Sequence, residues 1–275
     1  MKPREFDYVL AETTDEAVAE LAEAGDEAKL IAGGQSLVAM MNFRLLEPRI
    51  LVDISRIETL SYIRAQNGVI EVGAAATQAE LQAWDGLAAA SPLLQAALPH
   101  IGHFQTRNRG TVCGSLAHAD PSSELPLCLA TLGGEVVLRS SRGERTLSAE
   151  SFQTGMLSTA LRADELVAAA RFPVRKQGAG YGFREMARRR GDFAIVSLAA
   201  MVTDDGIRLG AGGMADRPVV RQWPALDGAA LDDALNEFAW DLGGYDDLHA
   251  TAKYRRRLVR RLGRRVIEEA RACRN

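Results

Sequence analysis

Two glycine-rich segments constrain this chain of 275 residues more than any other feature. The first is Leu30-Ile31-Ala32-Gly33-Gly34-Gln35-Ser36-Leu37. The second runs from Arg107 through Asn108-Arg109-Gly110-Thr111-Val112-Cys113-Gly114-Ser115-Leu116-Ala117-His118-Ala119-Asp120-Pro121 to Glu124. Each sets glycine beside small hydroxyl or amide residues, next to a run that reads as buried strand. Without a Cβ, backbone N–H groups can close directly on a phosphate. One such turn is a common strand-to-helix device. Two in one domain suggest a ligand with a pyrophosphate and more to hold, which means a dinucleotide. Neither the G-x-x-x-x-G-K-[ST] nor the G-x-G-x-x-G spacing occurs in them.

The order of elements places both turns. Phe6–Leu10 reads as a strand, Glu16–Ala24 as a helix capped by Thr13-Thr14 and stopped by Gly25, and Lys29–Ala32 as a strand. Ser36 can cap a helix from Leu37 to Arg44, and Ile50–Ile54 is a further strand. The first turn therefore lies at a helix N-terminus, where aligned N–H groups and the helix dipole favour an anion. A second unit follows: strand Gly68–Gly73, a capping box at Thr77-Gln78-Ala79-Glu80, and helix Pro92–Leu98. After the long glycine segment come helix Glu124–Leu132 and strands Glu135–Arg139 and Leu166–Phe172. Beyond Gly178 the pattern is antiparallel: Gly180–Arg184, Ile195–Val202 and Ile207–Gly212, with a turn at Asp204-Asp205-Gly206. Two helices close the chain, Leu231–Trp240 and Ala252–Cys273. The boundary between domains falls near Arg175.

Composition narrows the class. The chain is 47% hydrophobic and 25% charged, ordinary globular values, and its net charge of −3 gives no global attraction for nucleic acid. Its charged N-terminus lacks the apolar core of a secretory signal, and no stretch approaches the roughly 18 apolar residues of a membrane helix. The three cysteines, Cys113, Cys128 and Cys273, have no metal or cluster spacing. A cytoplasmic protein with reduced thiols is the expectation. The run Lys253, Arg255, Arg256, Arg257, Arg260, Arg261, Arg264 and Arg265 contains no acid. It reads as a solvated face or a docking surface for an acidic partner, with nucleic acid as the third possibility. His100, His103 and His118 read as structural histidines, His118 being the best site candidate because of its motif.

The pair A-G-G-Q-S-L and R-N-R-G-T-V-C-G-S-L-A-H-A-D-P-S-S-E-L-P resembles the flavoprotein (medium) subunit of the xanthine dehydrogenase and aerobic carbon monoxide dehydrogenase family of molybdenum hydroxylases. Tyr181-Gly182-Phe183-Arg184 through Arg190-Gly191-Asp192-Phe193-Ala194 resembles the start of that family's C-terminal domain. Asp246 through Arg256 resembles its closing helix signature. The resemblance implies an α+β fold. A vanillyl-alcohol-oxidase-type (PCMH) FAD-binding domain over residues 1–175, with subdomains of about 1–57 and 58–175, would precede a C-terminal domain, 176–275. The latter would hold a three-stranded antiparallel sheet plus helices.

The same resemblance assigns residues. Lys29, Leu30, Ile31, Ala32, Gly33, Gly34, Gln35, Ser36 and Leu37 would wrap the FAD pyrophosphate, with Gly110, Thr111, Gly114 and Ser115 on its other side. At Gly33 and Gly114 a Cβ would intrude on the phosphate contact. Glu124 stands where the family places an acid on the adenosine part, with Asp120 and His118 near the same wall. Leu166 or Val167 and Arg184 would approach the isoalloxazine, with Asp192 and Phe193 beside it. Cys113 replaces a usual glycine of the family. FAD would be noncovalent, because no His-linked attachment motif lies in the cradle.

The implied function is electron transfer, without a catalytic acid, a nucleophile or a bound metal in this chain. Electrons would come from [2Fe-2S] clusters of a small partner subunit, downstream of a large molybdopterin subunit, in a dimer of heterotrimers. They would leave through FAD to an external acceptor. The alternatives are a stand-alone FAD-dependent oxidoreductase of the same binding fold and a non-enzymatic basic protein led by the arginine-rich terminus.

Overall fold

The computed structural model describes residues 2–274. Its first unit begins with β1 (Asp7–Leu10), α1 (Thr14–Ala24), β2 (Ala28–Ile31), α2 (Leu37–Asn42) and β3 (Ile50–Asp53). The three strands make a parallel sheet of order β1-β3-β2. Thr13 caps α1 by accepting the Glu16 N–H, Asp15 and Glu16 complement the dipole, and Gly25 ends the helix at φ 54°. Ala17, Val18 and Leu21 form its buried stripe against that sheet.

The second unit comprises β4 (Ile63–Gln66), β5 (Val69–Gly73), α3 (Gln78–Ala83), α4 (Leu87–Ala90), α5 (Pro92–Ala97), α6 (Phe104–Arg107), α7 (Val112–His118), α8 (Glu124–Leu132), β6 (Glu135–Ser140), β7 (Gly143–Ser148), α9 (Ala149–Phe152), β8 (Gln153–Gly155), β9 (Ser158–Thr159) and β10 (Leu166–Pro173). Five strands form an antiparallel sheet, β4-β5-β10-β6-β7, in which β10 carries an irregularity between Val167 and Ala169. β8 and β9 make a small separate hairpin. Thr77 and Glu80 close the capping box on α3 reciprocally. The core of this unit is continuous with that of the first, running from Val18 through Val72 and Leu116 to Phe172.

β11 (Gly180–Met186), β12 (Val196–Thr203), β13 (Gly206–Gly212) and β14 (Val219–Trp223) form a four-stranded antiparallel sheet in chain order. The fourth strand adds to the three read from sequence. Its five residues show no clean alternation, and Val219, Val220 and Arg221 are all half-buried. α10 (Gly228–Asp241) and α11 (Ala252–Ala272) pack together, with α11 against β11 and β12, while α8 contacts β12 and β13 and α5 contacts β11.

Strand alternation decides which side chains meet which layer. On β11, Tyr181 and Phe183 join the continuous core of the first two units. Gly180 and Gly182 lie under α11, where a Cβ on Gly182 would stand 2.7 Å from the Val266 carbonyl oxygen. Arg184 falls on the α11 side as well. Its Nε donates to Glu269 Oε1 at 2.8 Å.

The arginines of α11 are largely used within the chain. Arg255, 2% exposed, donates to the carbonyls of Ile195 and Gly213 and to Asp247, and lies over the Tyr245 ring at 4.2 Å. Arg256 reaches the Gly243 carbonyl and the Trp240 ring, Arg260 reaches Asn236, and Arg264 reaches Asp232 and Glu268. A helix lined by like charge is thus anchored by carbonyl, amide and carboxylate acceptors around it rather than left as one bare basic face.

Candidate functional site

A cleft of about 440 Å³ opens where the two glycine segments meet. It is lined by Ile31, Ala32, Gly33, Gly34, Gln35, Val38, Ala39, Asn42, Asp53 and Arg109. The strand β2 delivers the chain to its C-terminal end, Gly34 turns it at φ 70°, and α2 leaves from Ser36. An L-residue pays strain at that φ, so glycine suits it. The N–H groups of Gly34, Gln35 and Ser36 meet no acceptor among the described residues, while the Gly34 and Ser36 carbonyls serve α2. Three adjacent donors left free at the cleft form a cradle for an anion.

Gly33 has a different reason to be glycine. A Cβ there would stand 2.6 Å from the Arg109 carbonyl carbon and 2.8 Å from Gly110 Cα. It would strike protein backbone rather than point into a phosphate contact. Gly110 is buried in turn, its carbonyl accepting the Gln78 N–H and its N–H donating to Thr106. The loops 31–36 and 106–112 therefore press together, and Arg109 lines the cleft with the turn that carries the free donors.

The rest of the second segment is partly committed to its own structure. Thr111 caps α7, its Oγ1 accepting the Gly114 N–H at 3.0 Å. A Cβ on Gly114 would come 2.6 Å from that oxygen, so the cap, rather than a phosphate, sets the local limit. Gly114 is exposed and Ser115 half-buried. Cys113 is 2% exposed, its Sγ lies 3.5 Å from the Val72 carbonyl, and burial pushes its thiol up to about 12. A thiol held protonated is neither nucleophile nor metal ligand.

Further along, His118 ends α7. Burial lowers its pKa, with the Asp120 charge opposing, so it is neutral at pH 7. Asp120 Oδ1 accepts the Ser122 N–H. Glu124, 4% exposed, begins α8, and burial with the Glu185 charge raises its carboxyl to about 8.

The remaining sequence-assigned residues lie apart from the cleft lining. Lys29 and Leu30 are half-buried on β2, and Ser36 and Leu37 begin α2. Leu166 and Val167 are buried on β10 at its irregularity. Asp192 and Phe193 are exposed on the β11–β12 loop, which rests on Gly102 and His103 through Gly191. Arg184 pairs with Glu269 of α11, and its neighbour Glu185 turns toward the second unit, where its Oε1 faces His100 Nδ1 at 3.1 Å.

Val38, Ala39, Asn42 and Asp53 line the cleft without having been singled out in the sequence. One signal was available for Asp53. It ends a parallel strand, and ligands gather at the carboxyl ends of such strands. In the structure its oxygens are engaged by the Tyr8 hydroxyl and the Ser55 N–H.

Comparison with known proteins identifies this arrangement. Residues 4–175 match the family model described as the FAD binding domain in molybdopterin dehydrogenase. Residues 181–270 match the CO dehydrogenase flavoprotein C-terminal domain. The alpha subunit of the 6-hydroxypseudooxynicotine dehydrogenase complex of Paenarthrobacter nicotinovorans is 35% identical, across 98% of this chain and 96% of that one. Among solved structures, carbon monoxide dehydrogenase from Hydrogenophaga pseudoflava superposes with a TM-score of 0.95 at 30% identity, covering 100% of both chains. Quinoline 2-oxidoreductase from Pseudomonas putida 86 superposes at 0.92 with 32% identity, covering 99% of both. The chain belongs to the FAD-binding flavoprotein family of the molybdenum hydroxylases. It is a flavoprotein of the oxidoreductase class, one subunit of a dehydrogenase complex.

Proposed function

We propose that this chain holds noncovalent FAD and passes electrons through it, from [2Fe-2S] clusters of a small partner subunit to an external acceptor. A large molybdopterin subunit would supply those electrons by oxidising the substrate, in a cytoplasmic dimer of heterotrimers. The observation that carries the reading is the Gly34–Ser36 turn, three free N–H donors with Arg109 across the cleft. FAD, when bound, joins one-electron carriers to two-electron acceptors. The protein's part is to hold, orient and shield it.

In this reading Lys29–Leu37 wrap the pyrophosphate on one side, and Arg109, Gly110, Thr111, Gly114 and Ser115 face it from the other. Arg109 adds charge that the bare backbone lacks. His118, Asp120 and Glu124 follow along the same segment toward the adenosine. Leu166 and Val167 supply an apolar wall for the isoalloxazine, and Asp192 and Phe193 approach it from the β11–β12 loop. The relatives are subunits of complexes acting on very different molecules, which supports a substrate site in the partner rather than here.

Purification tests this directly. The chain should carry flavin absorbance and release about one FAD on denaturation, and the native protein should co-purify with an iron–sulfur and a molybdenum subunit. The hydroxylation substrate should bleach the flavin in the complex and leave the isolated chain oxidised. Bleaching of the isolated chain by substrate would overturn the subunit reading in favour of a stand-alone enzyme.

A further inference from the structure

The hydrogen bonds of α11 leave four of its cations over, and the four lie on one stripe. Lys253, Arg257, Arg261 and Arg265 are exposed, follow one another at four-residue spacing, and make no ion pair among the described residues. Every other arginine of the helix is bonded within the chain: Arg255, Arg256, Arg260, Arg264 and Arg271. The two acids nearest the end of the stripe are also taken, Glu268 by Arg264 and Glu269 by Arg184. At about 1.5 Å per residue the stripe is about 18 Å long.

This stripe works against the isolated chain. Like charges four residues apart on a helix repel. Lys253 adds to the cost by standing in the first turn, where the helix dipole opposes a cation and no acid offsets it. A row of carboxylates supplied from outside would relieve both.

At the head of the stripe, five residues before Lys253, Leu248 is 97% exposed. A single exposed leucine is ordinary. This one is displayed by a loop whose own polar groups fix it. Asp247 Oδ1 accepts the His249 and Ala250 N–H groups, both at 2.8 Å, and Oδ2 accepts from the buried Arg255. The Asp247 N–H donates to the Ala250 carbonyl, and Asp246 accepts the Ala252 N–H, which ties the loop to the first turn of α11. A side chain presented on a loop already ordered loses little further freedom when it enters a pocket.

We propose that this surface docks a companion subunit of the dehydrogenase complex, one that offers a row of Asp or Glu carboxylates to the four cations and an apolar pocket to Leu248. Three of the cations are arginines, whose planar forks match carboxylates with paired hydrogen bonds. Phosphates would pair with arginine too, but a phosphate backbone offers nothing to a leucine. The chain's net charge of −3 also gives no long-range pull toward nucleic acid. The proposal rests on the chain being one subunit of a complex, and the FAD cleft plays no part in it.

The native complex, purified with its companion subunits, is treated with a water-soluble carbodiimide, which joins an amine to a carboxyl without a spacer. Peptide mass spectrometry should find Lys253 linked to an aspartate or glutamate of a companion. Acetic anhydride should modify Lys253 more slowly in the complex than in the isolated chain. Absence of that link, or equal modification in both, overturns the proposal. A link solely to a second copy of this chain overturns it in favour of self-association, and purification without any companion overturns it outright.

Charge reversal supplies an independent readout. Arg257→Glu combined with Arg261→Glu should raise the dissociation constant of the complex about tenfold and flatten its salt dependence. Leu248→Asp should weaken the complex as well while the salt dependence stays. Circular dichroism and flavin content, unchanged in these variants, separate docking from folding. Wild-type affinity in the double variant overturns the proposal. A DNA duplex retarded by the chain and released by the same reversal, with the complex unaffected, overturns it in favour of nucleic acid. A chain without flavin fails the cofactor reading alone, and the cross-link still decides the docking.

Discussion

Gly33 and Arg109 meet backbone to backbone across the cleft, so closely that a Cβ on the glycine would lie 2.6 Å from the arginine's carbonyl carbon. The contact joins the parallel sheet unit to the segment that supplies Arg109, and it forms the floor on which the free N–H donors of the neighbouring turn are presented.

Gly33→Ala should therefore open this seam. Overpacking against backbone costs about 1–3 kcal/mol, and the displacement moves Arg109 away from the donors. Retained FAD should drop sharply while most of the fold survives, as read by flavin content and circular dichroism. Gly34→Ala meets only side chains at 3.2 and 3.3 Å, with strain from its φ of 70°. It should lose stability more than seating. Equal flavin content in Gly33→Ala and wild type would refute the seam.

Arg109→Gln removes the charge of the one cationic residue that lines the cleft among the described residues. A charge-assisted hydrogen bond contributes about 1.5–3 kcal/mol, so the FAD dissociation constant should rise about 10- to 100-fold. Equilibrium dialysis checks the affinity. The wild type should also lose affinity with added salt more steeply than the variant.

Cys113→Ser should be nearly silent in flavin reduction. The hydroxyl can donate to the Val72 carbonyl in place of the thiol, and the stability change should be about 1 kcal/mol. A large loss of electron transfer in stopped-flow traces would assign the thiol a role that its burial denies.

Arg255→Met tests the anchor of α11. The substitution removes donors to Ile195, Gly213 and Asp247 from a site 2% exposed. Breaking a buried, hydrogen-bonded ion pair costs about 3–5 kcal/mol, and urea unfolding should report a loss of that order. Arg257, exposed on the same helix with no acid paired to it among the described residues, should be replaceable with little effect on stability.

Local chemistry made much of the fold legible. The Thr77–Glu80 capping box, the Glu124–Leu132 helix and the strand leading to Gly33-Gly34 each follow from a handful of adjacent residues. What escaped depended on neighbours distant in sequence. β14 is an edge strand whose half-buried residues lack alternation. Glycine at position 33 was legible, but its cause was not, because Arg109 approaches it only once the chain has folded. The pairing of Arg184 with Glu269 was also out of reach, because alternation on β11 needs to know which layer covers which face. Asn42 and Val38 came to the cleft through the turn of α2, again a tertiary fact.

That alternation makes β11 a two-sided address. Arg184 and Glu185 are adjacent in the chain, yet one is bound to an exterior helix and the other to a buried junction. A one-residue slip of the strand would deliver the cation inward and the acid outward, leaving every element present and every interface wrong. Anyone grafting this C-terminal domain onto another flavin module would have to conserve the register of a single strand before matching any surface.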